Sequence, residues 1–355
     1  MDVEHRPLVS IVIPHWNHRE VLVQCLESLS RTHYAPVGII VVDNASSDDS
    51  VAYVHNHFSD VRIIRNEQNL GFAGGCNRGI EAAGGKYVVI LNNDTTQTPD
   101  WLSILVEFME QEPAVGIAQP KLINSADPTR FDYSGAAGGF MDKFAFPFAR
   151  GRMFDHVEQD HGQYDEATRI FWASGTACII RREVFDQVGL FDETFFAHME
   201  EIDLNWRAQL AGWDIAAVPD AVVYHHSGYT LPMESPFKKY LNHRNSLLMP
   251  LGNYQLRNMI VRGIQRAVLD IMACGFSLLS WDFHRFLAIL KAWGWILIHP
   301  GEIWRKRAGV RSIRDLTDRE LDTRLYQGSV ALDRYLFGRS VWESERHRIG
   351  DFQRS

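Results

Sequence analysis

Residues 87–94 read YVVILNND, an apolar run of five residues that passes directly into two asparagines and an aspartate. An apolar run this short is typical of a strand buried on both faces of a parallel sheet. Three similar runs precede it, at residues 9–14, 38–43 and 61–64, and stretches with helical spacing separate them. This strand–helix alternation predicts an α/β fold, in which a mostly parallel sheet carries helices on both faces.

Polar side chains follow three of the four predicted strands. Pro14 ends the first strand and Asn17 follows it, Asp43 ends the second, and residues 92–94 follow the fourth. In parallel sheets, ligands bind beyond the carboxyl ends of the strands, where the strand order reverses. We therefore expect a nucleotide site at this edge of the sheet.

The Asn-Asn-Asp cluster has the chemistry of a cation site. Asp94 offers a carboxylate and Asn92, which we place two residues earlier on the same face, offers an amide oxygen, and both suit Mg²⁺ or Mn²⁺. Turn chemistry is an alternative, because Asn and Asp are also common in loops. Asp43 has a similar alternative as the N-cap of the next helix.

A second acidic cluster opens a predicted helix near residues 200–211. Glu200, Glu201 and Asp203 lie close enough to raise one another's pKa, which suits a general base near neutral pH. A helix dipole also favours acids there, so capping is an alternative. His225 ends an apolar stretch, where it is either a metal ligand or a structural histidine.

The glycine-rich stretch at residues 69–77 follows the third strand and does not spell GxGxxG. A nicotinamide-dependent oxidoreductase needs that fingerprint after the first strand. We interpret the stretch instead as a helix N-terminus close to a nucleotide.

Composition and charge limit the compartment and the kinds of binding partner that the protein is expected to have. The four cysteines show no metal-binding spacing, which favours reduced thiols in the cytoplasm, and residues 1–5 do not begin a secretory signal. The net charge is -8, but residues 236–314 carry thirteen Lys/Arg against three Asp/Glu. A basic region on an acidic body argues against nucleic acid and predicts that one end meets an anionic surface.

Helical spacing dominates after residue 235. Ile260, Ile264, Val268 and Ile271 share one helical face, whereas residues 286–298 are apolar but too short to span a bilayer. Tryptophans and cations in this region suit the headgroup layer of a membrane. The alternatives are helices packed on the preceding domain and a homodimer interface.

Together these stretches resemble glycosyltransferase family 2, which has the Rossmann-like GT-A fold, and within it the bacterial rhamnosyltransferase-like branch. The resemblance covers about residues 8–250, and its motifs follow the family's order. The matching stretches are residues 9–17, 41–46, 66–77, 91–94, 172–175, 189–207 and 219–221, and His225.

The resemblance implies a role for each predicted site residue. Asp43 would contact the nucleobase in a pocket shaped by Pro14 and Asn17, Asp94 would be the principal ligand of a divalent metal, and His225 would complete the metal site. Glu201 would be the catalytic base. The remaining nucleotide-sugar contacts would be Asn69, Gly71, Asn77, Asn92, Asn93, Ser174 and Gly175.

The chain departs from the family's pattern at two positions. Asn92 stands where the DxD motif begins with aspartate, which weakens the expected metal affinity. Glu201 stands where the family has aspartate and is one methylene longer, so Glu200 and Asp203 stay open as the base.

We expect residues 1–235 to form the nucleotide-sugar-binding and catalytic domain, with residues 124–170 as a long excursion that closes over a ligand. Residues 236–355 would form a helical C-terminal region, basic and Trp-rich up to about 314.

The predicted function is that of a metal-dependent, inverting hexosyltransferase in cell-surface polysaccharide assembly. It would act in the cytoplasm, or peripherally on the inner face of the membrane, on a hydroxyl of a saccharide or lipid-linked saccharide. The branch suggests rhamnose from a dTDP-linked donor; UDP- and GDP-linked donors stay open. The alternatives are a catalytically inactive nucleotide- or sugar-binding protein of the same fold and, less favoured, a Rossmann-type oxidoreductase.

Overall fold

A large mixed sheet forms the centre of the protein in the computed structural model, which describes residues 6–226 and 235–338. The prediction made on residues 1–5, and the outer limits of the two predicted domains, lie outside the described residues. The strands are β1 (Val9–His15), β2 (Val37–Asp43), β3 (Val61–Arg65), β4 (Tyr87–Leu91), β5 (Thr95–Gln97), β6 (Val115–Asn124), β7 (Gly139–Met141), β8 (Pro147–Ala149), β9 (Arg152–Met153), β10 (His156–Val157), β11 (Thr168–Ile170), β12 (Ala177–Arg181) and β13 (Asp214–His225).

Helices follow most of these strands in the first half of the chain and dominate its end. They are α1 (Arg19–Leu29), α2 (Ser50–His57), α3 (Gly71–Ala82), α4 (Trp101–Gln111), α5 (Arg182–Val188), α6 (Glu200–Leu210), α7 (Pro236–Asn253), α8 (Leu256–Leu279), α9 (Phe283–Ile298), α10 (Pro300–Ile313), α11 (Asp318–Leu321) and α12 (Val330–Tyr335).

The main sheet has the order β11-β13-β6-β12-β4-β1-β2-β3, with β5 beside β13. Strands β3, β2, β1 and β4 run parallel, whereas β12 runs antiparallel to both β4 and β6. The chain builds outward from β1 to β3 and then returns to the other side of β1, so the strand order reverses between β1 and β4. This switch point is where an α/β sheet leaves room for a ligand.

The prediction that Pro14 ends the first strand is wrong, because β1 continues to His15 and pairs with Asp43 of β2. Pairing of β1 with β4 stops at Val12, so the missing N–H of Pro14 costs no bond on that side.

The predicted helices on both faces of the sheet are confirmed. Helices α3, α5 and α6 pack in one apolar core, and α1, α2 and α4 pack in another. Gly79 shows why α3 is rich in glycine, since a Cβ at this position would overlap Cγ1 of Val12 in β1. The helix therefore lies directly on the strands that border the switch point.

Within residues 124–170, β7 to β10 form a small antiparallel sheet whose strands are only two or three residues long, whereas β11 joins the main sheet. Strands this short explain why the sequence shows little periodicity there. That this segment closes over a ligand stays a prediction.

The C-terminal helices share a third apolar core with the rest of the chain, in which Leu248 of α7 and Ile296 of α9 join Trp206 of α6 and Phe131. The predicted domain boundary at residue 235 therefore falls just before a helix that packs on α6, and it stays a prediction. Within the two described ranges, no helix combines the length and apolar character needed to cross a membrane.

Candidate active site

The buried side chain of His15, at the end of β1, contacts both the turn after β4 and the start of α2. The Nδ1 atom of His15 lies 2.8 Å from the side-chain amide of Asn93, and its Nε2 lies 2.9 Å from Oγ of Ser50. Burial lowers the pKa of His15 to about 4, against the opposing charges of Asp48 and Asp43. The imidazole is therefore neutral and accepts a hydrogen bond from Asn93 at Nδ1.

The predicted nucleobase pocket is a hydrogen-bonded pair of loops. Oδ1 of Asp43 accepts a bond from the Ser46 amide at 3.0 Å, while the Asn17 amide donates to Oγ of Ser46 at 2.8 Å. Oδ1 of Asn17 accepts in turn from the Ser47 amide at 2.8 Å. The loops after β1 and β2 are thus held together beside Asp43 and Pro14, and their contact with a nucleobase stays a prediction.

Asn69, Gly71 and Asn77 build the start of α3 and its contact with a distant loop. Oδ1 of Asn69 accepts from the Gly71 amide at 2.8 Å, and Gly71 adopts a φ of 72°, where a Cβ would overlap the carbonyl of Phe196. Asn77 donates to the Phe191 carbonyl at 2.9 Å and accepts from its amide at 3.0 Å. These contacts favour structural roles, so nucleotide binding by the three residues stays a prediction.

Residues 92–94 form a turn between β4 and β5. The expectation that Asn92 and Asp94 share a strand face is therefore wrong, because strand alternation ends at Leu91. The amide of Asn92 donates to the Thr176 carbonyl at 2.9 Å. The turn brings Asp94 under β13, where it meets His225.

Asp94, His225 and Asp132 form a buried row of three side chains. Nε2 of His225 lies 3.2 Å from Oδ1 of Asp94, and Nδ1 lies 2.8 Å from Oδ1 of Asp132. Burial alone would lower the pKa of His225, but the two carboxylates outweigh it and raise this pKa to about 10. In the structure, an imidazolium therefore balances two carboxylates.

The same row has the chemistry of a metal site. Oδ1 of Asp94 is buried and has no hydrogen-bond partner among the described residues, although Nε2 of His225 lies 3.2 Å away. Metal-bound histidines usually donate their other ring N–H to a carboxylate, as Nδ1 of His225 does to Asp132. The described part of the chain holds no cluster of three or more His, Cys, Asp or Glu side chains suited to a metal. Asp94 and His225 thus fit a site whose remaining ligands are diphosphate oxygens and water, as is common for Mg²⁺.

The loop before α6 is held in an unusual conformation. Phe196, His198 and Met199 all have positive φ values, of 64°, 69° and 73°. Nδ2 of Asn245, in α7, lies 3.0, 2.9 and 2.7 Å from the carbonyl oxygens of Phe195, Ala197 and His198. The C-terminal helices therefore fix the loop that presents the acidic cluster.

Among the described residues, no cation forms an ion pair with Glu200 or Glu201. Burial raises the pKa of Glu201 to about 7. Burial and, next, the charge of Glu201 raise the pKa of Glu200 well above its usual value. Each carboxyl also has a buried Oε2 without a hydrogen-bond partner. Near neutral pH this pair can hold and release a proton.

Asp203, the third acid of this cluster, is fully occupied by other side chains. Its carboxylate lies 2.9 Å from Nε of Arg207, 3.3 Å from Nζ of Lys306 and 3.0 Å from Nδ2 of Asn253. An acid buried between two cations and an amide favours a structural role over that of a base.

Residues 174–176 connect the two acidic clusters. Ser174 is anchored by its amide, which donates to Oε1 of Gln119 at 2.9 Å. Thr176 accepts from Asn92 on one side, and a Cβ on Gly175 would lie 3.6 Å from Cβ of Glu201 on the other. Asp94 and Glu201 therefore border one region of the molecule, separated by a single peptide segment.

Three contributing residues were missed from the sequence: His15, Asp132 and Asn245. His15 directly follows the apolar run 9–14, so its position as a polar residue at the same sheet edge as Asp43 could have been inferred. Asp132 and Asn245 lie 93 and 47 residues from the groups that they contact, and nothing local marks them.

Two solved structures resemble this fold. GalNAc-T7 with UDP, GalNAc and Mn²⁺ matches with a TM-score of 0.55 and 18% identity, over 69% of this chain and 48% of that one. The mannosyltransferase PcManGT from Pyrobaculum calidifontis, in complex with GDP-Man and Mn²⁺, matches with a TM-score of 0.52 and 14% identity, over 90% and 88%. The fold is therefore GT-A, as predicted.

Sequence relatives identify the family. The family model for glycosyl transferase family 2 matches residues 10–189, about half of the chain, and the chain belongs to that family. It is 27% identical to the N-acetylglucosaminyl-diphospho-decaprenol L-rhamnosyltransferase of Mycobacterium tuberculosis, over 68% of this chain and 82% of the relative. It is 24% identical to the low-salt glycan biosynthesis hexosyltransferase Agl10 of Haloferax volcanii, over 78% and 85%.

The predicted resemblance to this family and to its rhamnosyltransferase-like branch is confirmed, and the protein is a glycosyltransferase. Family membership also sets aside the Rossmann-type oxidoreductase that the sequence had left as a remote alternative.

Proposed function

We propose that this protein is a metal-dependent, inverting hexosyltransferase that moves a sugar from a nucleoside diphosphate sugar to an acceptor hydroxyl. One observation carries the proposal. A carboxylate–imidazole pair suited to a cation, Asp94 and His225, and a carboxyl that titrates near neutrality, Glu201, border the same region of the switch-point edge.

Asp94 and His225 would hold a Mg²⁺ or Mn²⁺ ion through Oδ1 and Nε2, and the ion would displace the proton that Nε2 carries without it. Such an ion supplies neutralisation of the charge that develops on the departing diphosphate. Asp132 keeps the imidazole oriented, so that Nε2 faces Asp94. Asn92, which replaces the usual acid, is at most a helper through its amide oxygen.

Glu201 is the proposed base. Its carboxylate takes the proton of the acceptor hydroxyl, while the acceptor oxygen attacks the anomeric carbon and the bond to the diphosphate breaks on the opposite face. One displacement inverts the anomeric configuration. Glu200 stays protonated beside it, because two adjacent buried carboxylates would repel one another.

The proposed donor is dTDP-rhamnose, and the proposed acceptor is a saccharide linked to a lipid. The M. tuberculosis relative supports rhamnose as the sugar and a lipid-linked saccharide as the acceptor, since its name gives L-rhamnosyl transfer and N-acetylglucosaminyl-diphospho-decaprenol. UDP- and GDP-linked sugars are the competing donors. An acceptor of this kind places the enzyme in cell-surface polysaccharide assembly, on the inner face of the membrane, with the basic region 236–314 toward anionic lipid.

A panel of dTDP-, UDP- and GDP-sugars tests the proposal, with Mn²⁺ and with EDTA. We expect one donor class to be hydrolysed slowly in the presence of Mn²⁺ and to raise the melting temperature. A protein that binds a nucleotide sugar but never turns it over, with any acceptor, would instead be the catalytically inactive binding protein of the same fold.

A further inference from the structure

Helix α8 buries polar side chains and exposes apolar ones, the reverse of a surface helix in a water-soluble protein. Its buried side chains are polar: Arg266, Asp270 and Ser277. The apolar side chains face outward, and Ile264 and Ile271 are 64% and 71% exposed. The face that carries these isoleucines was predicted from their spacing, and in the described part of the chain it is exposed.

The polar inner face fixes this orientation. Arg266 pairs with Asp270 at 3.2 Å and donates to Oγ of Ser246 in α7 at 2.9 Å. Nε1 of Trp293, in α9, donates to the other oxygen of Asp270 at 3.0 Å. Rotating α8 to bury its isoleucines would break these bonds and expose their partners. The outward apolar face is thus a property of the folded protein.

The apolar face is continuous and extends onto the next helix. Between residues 260 and 279, Gln265 is the one polar residue among the exposed positions. The turn that follows exposes Trp281 to 79%, after Leu279 at 84%. Helix α9 adds further exposed leucines, including Leu297 at 74%. Isolated apolar surface residues are ordinary, but a face of this length marks an interaction surface.

Charge around this face identifies its partner. The only acids among residues 256–301 are Asp270, which is buried, and Asp282, which pairs with Lys239. Within the same range, the charged side chains that are exposed are cations, Arg257 and Lys291. An apolar face bordered by cations and aromatics matches the acyl and headgroup layers of a bilayer. A dimer interface normally adds a polar rim that pairs with its partner.

We infer that the α8–α9 hairpin inserts its outer face into one leaflet of a lipid bilayer and holds the enzyme there without spanning it. This inference rests on the proposed function and extends it. The main source of membrane affinity would be burial of apolar side chains in the acyl layer, and attraction to anionic headgroups would contribute less. The α8–α9 hairpin is also connected to the candidate active site through α7. In α7, Arg244 stacks on Trp295 of α9, with the guanidinium 5.1 Å from the ring centroid, while the adjacent Asn245 binds the loop before Glu200.

Flotation with neutral phosphatidylcholine vesicles in high salt tests the inference on the full chain. We expect the wild type to float, and Ile264→Glu/Ile271→Glu to lose vesicle affinity by roughly tenfold or more, because two apolar side chains leave the acyl layer. A second pair, Leu279→Glu/Leu297→Glu, changes other exposed positions and should behave alike. The control, Asn56→Glu/Gln111→Glu, adds the same charge at exposed positions of α2 and α4 and should float like the wild type.

Two results would overturn the inference. Wild-type protein that binds only anionic vesicles, and is released by salt, is held by its cations. Protein that ignores all vesicles and sediments as a dimer, which the two pairs of substitutions dissociate, uses the face for a second copy. Nucleotide-sugar hydrolysis without vesicles is measured in parallel. Its absence in the wild type would count against the proposed function and leave the vesicle result standing, whereas both pairs should retain it.

Discussion

The two acidic clusters of the site lie on either side of residues 174–176 and differ in how their charge is balanced. At the first, Asp94 faces an imidazolium whose pKa is raised by two carboxylates. At the second, Glu200 and Glu201 are adjacent, no cation of the described ranges pairs with them, and burial raises the pKa of each. Asp203 shows the contrast within one helix, since Arg207 and Lys306 neutralise it. Neighbouring charge, more than residue type, therefore distinguishes the proposed cation-binding carboxylate from the proposed base.

The largest expected effect follows from removing the proposed base. Glu201→Gln keeps the shape of the side chain but cannot accept the proton, so kcat should fall about 10³-fold while donor affinity changes little. Steady-state transfer and donor titration measure the two quantities. Asp203→Asn serves as a comparison: it should lower the melting temperature, and a larger loss of kcat there than in a folded Glu201→Gln variant would reassign the base.

The next effect concerns the other cluster. Asp94→Asn removes the carboxylate charge from the cation pair, so Mn²⁺-dependent turnover should fall by about 10²-fold. Mn²⁺ should also cease to tighten nucleotide diphosphate binding, which calorimetry can measure without turnover. Full activity of this variant in excess chelator would remove the metal from the account.

A smaller effect is expected from changing Asp132, the carboxylate that contacts Nδ1 of His225. Asp132→Asn leaves His225 in place but weakens the group that orients it, so Mn²⁺ affinity should fall by roughly 10- to 100-fold. Mn²⁺ titration against bound nucleotide measures the change. Asp127→Asn is a matched control in the same segment, because Asp127 caps a local turn through Thr129 and does not contact His225. Equal losses in both variants would point to general disruption of the segment.

The smallest expected effect is on the pH dependence of kcat, which distinguishes Glu201 from Glu200 as the titrating group. Since Glu201 must be deprotonated to act, kcat should rise with pH through about 7 and then level off. Glu200→Gln should leave the midpoint of this rise nearly unchanged, because Glu200 still carries its proton when Glu201 loses one. A pH profile of each protein shows the midpoint; loss of the rise in Glu200→Gln would make Glu200 the titrating base.

Much of the sheet edge was predictable from the sequence because its signals are local. Strand β4 ends at Leu91 as predicted, and Asp43 ends β2, since short apolar runs and the polar residues after them are adjacent in the chain. The acids of α6 were predicted for the same reason. Their different environments were not, because Lys306 and Asn245 come from helices far along the chain.

The C-terminal helices show another limit. Periodicity correctly placed Ile264 and Ile271 on one face of α8, yet spacing does not say whether a face meets protein, lipid or water. The buried side chains of Arg266, Asp270 and Ser277 show which side of α8 faces inward. Asp132 was missed because its segment has weak periodicity and the residue acts through a histidine 93 positions away.

The stereochemistry of donor cleavage tests the central claim most directly. Proton NMR can follow a nucleotide sugar that turns over with Mn²⁺ and identify the first anomer of the product before mutarotation. A single displacement assisted by Glu201 predicts the configuration opposite to that of the donor. A first product with the donor's own anomeric configuration would contradict the account. Retention requires two displacements, the first by a nucleophile of the enzyme, whereas the proposed mechanism has one displacement and no enzyme nucleophile.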